Sequence, residues 1–133
     1  MNKILVAAMM TAVVATAGAE PTGAVDFEVE TPRHAAGTVV NAADFGVSES
    51  AADNALALNR ALAFCRTNAV ARLVVPKGTY RLTAETAVTL EGLKDFTFDG
   101  GGATFVFFRT RGPNFRLIRN ERLSFRNLTV DWD

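Results

Sequence analysis

Beyond Val70 the sequence changes period. Apolar and polar residues alternate in runs of three to five, separated by glycines or charged residues. That is the pattern of short, half-buried strands. The spacing of the runs constrains the fold more than their existence does. Val88 and Phe115 lie 27 residues apart, Phe96 and Leu123 also 27, and Thr104 and Leu128 24. Three short strands followed by three more at a near-constant offset predict a solenoid whose coils stack on one another. Glycine-separated strands of this length also build sandwiches. The final seven residues, Asn127 to Asp133 (NLTVDWD), keep alternating to the last position. A solenoid buries each coil against its neighbours, and an uncovered coil exposes a row of unpaired backbone groups. The expectation is therefore the front part of a longer protein, truncated at residue 133.

The chain has 133 residues, enough for one domain at most. Residues 1–19 stand apart from it. Lys3 precedes an apolar run from Ile4 to Val14, and Ala17-Gly18-Ala19 offers small residues for cleavage. This is the pattern of a secretory signal peptide. The run is shorter than the ~20 residues that span a bilayer. The expected location is secreted, periplasmic or cell-surface, with no stable membrane insertion after cleavage. Lys plus Arg number 14, as do Asp plus Glu, so losing Lys3 leaves the mature chain at −1. A near-neutral protein gives no electrostatic case for nucleic acid. One cysteine, Cys65, and one histidine, His34, exclude an internal disulfide and a zinc, haem or iron–sulfur site built from those residues alone. No metal site and no cofactor is expected.

Residues 20–37 carry two prolines and two glycines without a sustained period, and read as a linker or N-terminal arm. Thr38 to Asn41 is a short strand. A polar loop follows, with a turn at Gly46 and capping candidates at Ser48, Ser50 and Asp53. Leu58, Leu62 and Cys65, flanked by Ala57, Ala61 and Phe64, predict one helix over about Ala52 to Cys65, stopped near Asn68.

Three motifs carry a resemblance: ADFG (Ala43 to Gly46), DNALALNRAL (Asp53 to Leu62) and LVVPKGTYRL (Leu73 to Leu82). Together they resemble the opening of the pectate lyase-like, right-handed parallel β-helix superfamily. Two departures are Ala55, where threonine is usual, and the loop VSESAA, which lacks the common GDG turn. FTFDGGGATFVF and FRNLTVDWD resemble the first coils of members near the α-1,3-galactosidase group of glycosidases. The resemblance covers residues 38–133. It implies an all-β solenoid, here the first coils only, capped by the N-terminal α-helix and presenting a long sheet to a polysaccharide or oligosaccharide. It also implies catalytic carboxylates on later coils, beyond residue 133. Hydrolysis of a glycosidic bond is the expected activity. The alternatives are a polysaccharide lyase, which would call for Ca²⁺ held by carboxylates, and a non-catalytic glycan-binding or adhesion protein.

Asp131, Trp132 and Asp133 are the candidate substrate-binding residues. Clustered acids beside an aromatic ring suit a sugar, and paired carboxylates are the machinery of glycosidases. Trp132 either stacks on a sugar ring or packs against a further coil. Asp99, ahead of Gly100-Gly101-Gly102, reads as a turn cap. Arg109, Arg111, Arg116, Arg119, Arg122 and Arg126 crowd the last third. They form either a groove for an anionic glycan or a solvated face that discourages edge pairing. Cys65, on the apolar helix face, reads as a small core residue.

Overall fold

The computed structural model describes residues 28–33, 37–83, 85–108 and 111–133. Residues 1–19, read above as a signal peptide, lie outside the described residues, as do His34 and Arg109. The elements run β1 (Val39–Asn41), a short 3-10 helix (Ala42–Phe45), α1 (Ala55–Thr67), β2 (Arg72–Val74), β3 (Thr79–Leu82), β4 (Val88–Glu91), β5 (Lys94–Phe107), β6 (Phe115–Ile118) and β7 (Glu121–Trp132). The described residues are thus mostly β, with one α-helix. Every strand pair is parallel: β1 on β2, β2 and β3 on successive parts of β5, β7 along β5, and β4 on β6.

The register reproduces two of the three predicted offsets. Val88 faces Phe115 and Phe96 faces Leu123. The third is corrected by one residue, since Thr104 faces Thr129 rather than Leu128. Leu128 faces Ala103 instead, and the offset falls from 27 to 25 at a corner. β5 turns through Gly100-Gly101-Gly102, whereas β7 turns through Asn127 alone, and the register shifts there. Gly101 and Gly102 take φ of +55° and +86°, a region open to glycine. Asn127, one of the few other residues that tolerate it, takes +56°. Close approach also demands glycine. A Cβ at Gly100 would lie 2.5 Å from the Leu128 side chain, and one at Gly101 2.5 Å from the Val75 carbonyl oxygen.

The predicted strands Phe96–Phe98 and Thr104–Phe108 are one strand of 14 residues, and the two runs in β7 are one of 12. Cα pairing lapses between Asp99 and Ala103, but backbone hydrogen bonding reaches the corner. The Val75 N–H still donates to the Asp99 carbonyl at 2.8 Å as the chain bends.

Inward residues align across neighbouring strands. Leu73, Phe98 and Phe125 form one column, and Leu82, Phe107 and Trp132 another. Burial declines along each column. Phe98 is fully buried and Phe125 is 37% exposed, while Phe107 is 3% and Trp132 63% exposed. The far edge of β7 has no strand partner among the described residues.

The helix starts and ends later than predicted, at Ala55 and Thr67, with Asn68 as its C-cap. Leu58, Ala61, Leu62 and Cys65 are buried as the periodicity implied. Phe64 is 42% exposed, its ring resting on Phe45 with centroids 5.3 Å apart. None of the expected caps caps the helix. The N-cap is Asn54, and its side chain makes no cap hydrogen bond. Polar side chains of this region instead seal the free edge of β3 and β4. Glu49 accepts from the Thr79 N–H at 2.7 Å and Asp53 from the Thr83 N–H at 2.8 Å. Asn59 donates to the Ala87 carbonyl at 3.0 Å and accepts from the Thr89 N–H at 2.8 Å. These side chains stand in for a missing strand, supplying the partners that edge backbone groups need.

Candidate functional site

Successive strand residues point to opposite faces. In β3 and the second part of β5, Tyr80, Leu82, Ala103, Phe105 and Phe107 are buried. Thr79, Arg81, Thr104, Val106 and Phe108 therefore face outward. The register carries this onto β7, where Thr129 continues the row Thr79–Thr104 and Asp131 the row Arg81–Val106. The Asp133 N–H donates to the Phe107 carbonyl at 3.2 Å, which sets Asp133 beside Phe108. The outer face of this sheet thus gathers Arg81, Phe108, Asp131 and Asp133. The Arg81 guanidinium lies 5.4 Å from the Phe108 ring centroid, within cation–π range. Asp131 and Asp133, two positions apart on one strand, have Cα atoms about 7 Å apart. Both are exposed.

The three residues singled out from the sequence do not share a face. Trp132 lies on the inward side, over Phe107, with ring centroids 6.5 Å apart. The aromatic ring on the side of the acids is Phe108, which the motif reading passed over. Its signal was present in the sequence: with Phe105 and Phe107 inward, alternation turns Phe108 outward.

The arginine-rich stretch is largely paired. Arg122 meets Asp95 (Nη2 to Oδ2, 2.9 Å), Glu121 and Glu30. The hydrogen bonds it donates to Asp95 push its guanidinium above its ordinary value. Arg119 meets Glu91 at 3.4 Å and Arg126 meets Asp99 at 3.1 Å. These pairs favour a structured outer face over a free basic groove for an anionic glycan. Residues 28–33 of the arm reach the same region, with the Arg33 N–H donating to Asp95 Oδ1 at 3.2 Å.

Asp99 is a turn cap, as expected. One carboxylate oxygen accepts from the Gly101 N–H and the Asn127 amide, both at 3.0 Å. The other accepts from Arg126 Nε at 3.1 Å. Burial pushes this carboxyl upward, but Asn127, Gly101 and Arg126 together outweigh burial and hold it below the usual carboxylate range. A carboxyl with a lowered folded pKa stabilises the fold fully above its unfolded value, and that stability is lost as pH falls through the folded one. Acid unfolding followed by circular dichroism is expected to shift for Asp99→Asn. The variant should be less stable than wild type at neutral pH, with the difference shrinking below about pH 4. A gap that stays constant with pH would show that the Asp99 charge contributes nothing.

Cys65 is fully buried, and burial pushes its thiol up to about 11. Such a thiol is a core group and not a nucleophile. Among the described residues no three His, Cys, Asp or Glu side chains gather as a metal-binding group. No described helix is long and apolar enough to cross a membrane.

A mostly β chain with parallel sheets and an outward row of acids, arginine and an aromatic ring is chemically suited to a sugar. Comparison with known proteins points the same way. No family model matches the chain. It is similar to alpha-1,3-galactosidase B of Bacteroides thetaiotaomicron, 28% identical over 119 residues, covering 74% of this chain and 19% of that protein. It is also similar to alpha-1,3-galactosidase A of Shewanella woodyi, 27% identical over 130 residues, covering 84% of this chain and 20% of that protein. The chain thus spans about a fifth of the length of the curated relatives it matches. The relationship is a distant one to glycosidases.

Proposed function

We propose that this chain forms the helix-capped first coils of an exported, right-handed parallel β-helix protein of the pectate lyase-like type, which hydrolyses α-linked galactosides. The similarity to two α-1,3-galactosidases, over 74% and 84% of the chain, carries the reading. The fold supports it independently. β2, β5 and β7 stack in parallel register, β4 and β6 do the same, and polar side chains around α1 seal the opposite edge. In this reading the described residues hold none of the groups that cleave the bond, and those carboxylates belong to coils beyond residue 133. Export follows from residues 1–19, and the mature protein begins at Glu20.

The test is to express the complete reading frame and supply galactosyl-α-1,3-galactose. Calcium-independent release of galactose is expected from the complete protein, and none from the 133-residue chain alone. Unsaturated, ultraviolet-absorbing products formed only with calcium would replace hydrolysis by elimination. Binding without turnover would reduce the protein to a glycan-binding one. Galactose release by the 133-residue chain itself would overturn the placement of the catalytic acids.

A further inference from the structure

We infer that the outer face of the β3–β5–β7 sheet is a contact subsite for a neutral hexose, with Phe108 as its stacking ring. The inference deepens the galactoside reading and rests on it. It starts from an oddity of the outer face. Phe108 points out of the sheet and is only partly covered, although an outward aromatic gains little by being there. It is also held in place, because Arg81 lies against it at 5.4 Å. Asp133 adjoins it on the neighbouring strand, and Asp131 lies two residues back along β7 on the same face.

The chemistry matches a hexose. A galactose ring with its axial hydroxyl on one side offers a patch of C–H groups on the other, and such a patch stacks on an aromatic face. Carboxylates accept hydrogen bonds from ring hydroxyls, and a guanidinium donates to hydroxyl and ring oxygens. Charge then decides between sugar classes. Among the described residues, two exposed carboxylates against one guanidinium leave the patch negative, so a uronate is repelled while a neutral sugar is not. Trp132, the more conspicuous aromatic, cannot serve this face. It stands over Phe107 on the inward side of the same strand.

The test titrates the full chain with galactosyl-α-1,3-galactose and, separately, with digalacturonate, read by saturation-transfer and ¹H–¹⁵N NMR. The expected result is weak binding of the neutral disaccharide and none of the uronate. Phe108→Ala and Asp131→Asn should each weaken binding about tenfold, roughly 1.4 kcal/mol. Phe108→Tyr should retain it, and Trp132→Ala should leave it unchanged. Asp131 is exposed, so its variant tests the subsite even if Phe108→Ala disturbs folding. Binding that survives both Phe108→Ala and Asp131→Asn, or that is lost in Trp132→Ala, overturns the subsite while the galactosidase reading stands. Preference for digalacturonate overturns it as well. So does the absence of any binding, and galactose release by the complete protein then decides separately whether the hydrolase reading survives.

Discussion

Replacing Phe98 by alanine is expected to lower the stability of the chain by about 3–5 kcal/mol. Phe98 is fully buried and sits mid-column between Leu73 and Phe125. Its ring meets Phe105 at 6.0 Å, Phe115 at 6.4 Å and Phe125 at 5.2 Å, so it joins strands on different sides of the interior. Truncation removes the transfer energy of the ring and leaves a cavity. The cavity cannot close easily, because in-register backbone hydrogen bonds fix the strands above and below. With total stabilities of about 5–15 kcal/mol in ordinary domains, the loss would be visible as a large drop in the urea midpoint. Phe125→Ala is the internal control. At 37% exposure it should cost less than half as much. Equal losses at the two positions would mean that the column is not packed in the order the structure gives.

That ranking was only half legible in the sequence. The 27-residue offsets could be read because each strand repeats the same alternation, and two of them match the register at Phe115 and Leu123. The third slipped by one because corners that look like strand breaks in a linear pattern hide where pairing resumes, and Leu128 pairs with Ala103, not Thr104. In space those corners are bends in continuous strands. The helix was legible from Leu58, Leu62 and Cys65, but its start was not. Ser48 and Asp53 have the side chains of caps, yet Asp53 is taken by the Thr83 N–H, 30 residues away.

The same limit governs the candidate site. Alternation alone separates Trp132 from Asp131 and Asp133 and brings out Phe108, so this part was available from the residues. The anchoring of the arm was not. Glu30 reaches Arg122 across 92 residues, and only the fold brings the two together. Local period reports which face a side chain takes. It cannot report which distant side chain meets it there.

Asn54 supplies the second large effect, and it tests the seal at the free edge of β3. Its side chain is fully buried, accepting from the Ser48 N–H at 2.8 Å and donating to the Arg81 carbonyl at 3.2 Å. The Asn54 backbone N–H donates to that same carbonyl at 2.9 Å. Asn54→Ala therefore leaves the Ser48 N–H without its acceptor while Arg81 keeps one donor. Together with the small cavity, a loss of about 2–4 kcal/mol is expected. Asn54→Asp separates the two bonds. It keeps an acceptor for Ser48 but sets a carboxylate oxygen against the Arg81 carbonyl in a site closed to water. Burial and that repulsion both raise the folded pKa of the new acid above its unfolded value of about 3.9. The penalty is then greatest at neutral pH and is relieved as pH falls through the raised pKa, where the protonated acid donates to Arg81 as the amide did. Urea melts at pH 7 and pH 4.5 should show the Asp variant less stable than the Ala variant at the higher pH and closing on it, or passing it, at the lower. An Asp variant as stable as wild type at pH 7 would mean that the amide bond to Arg81 contributes nothing, and that the Asn54 backbone N–H alone suffices for that carbonyl.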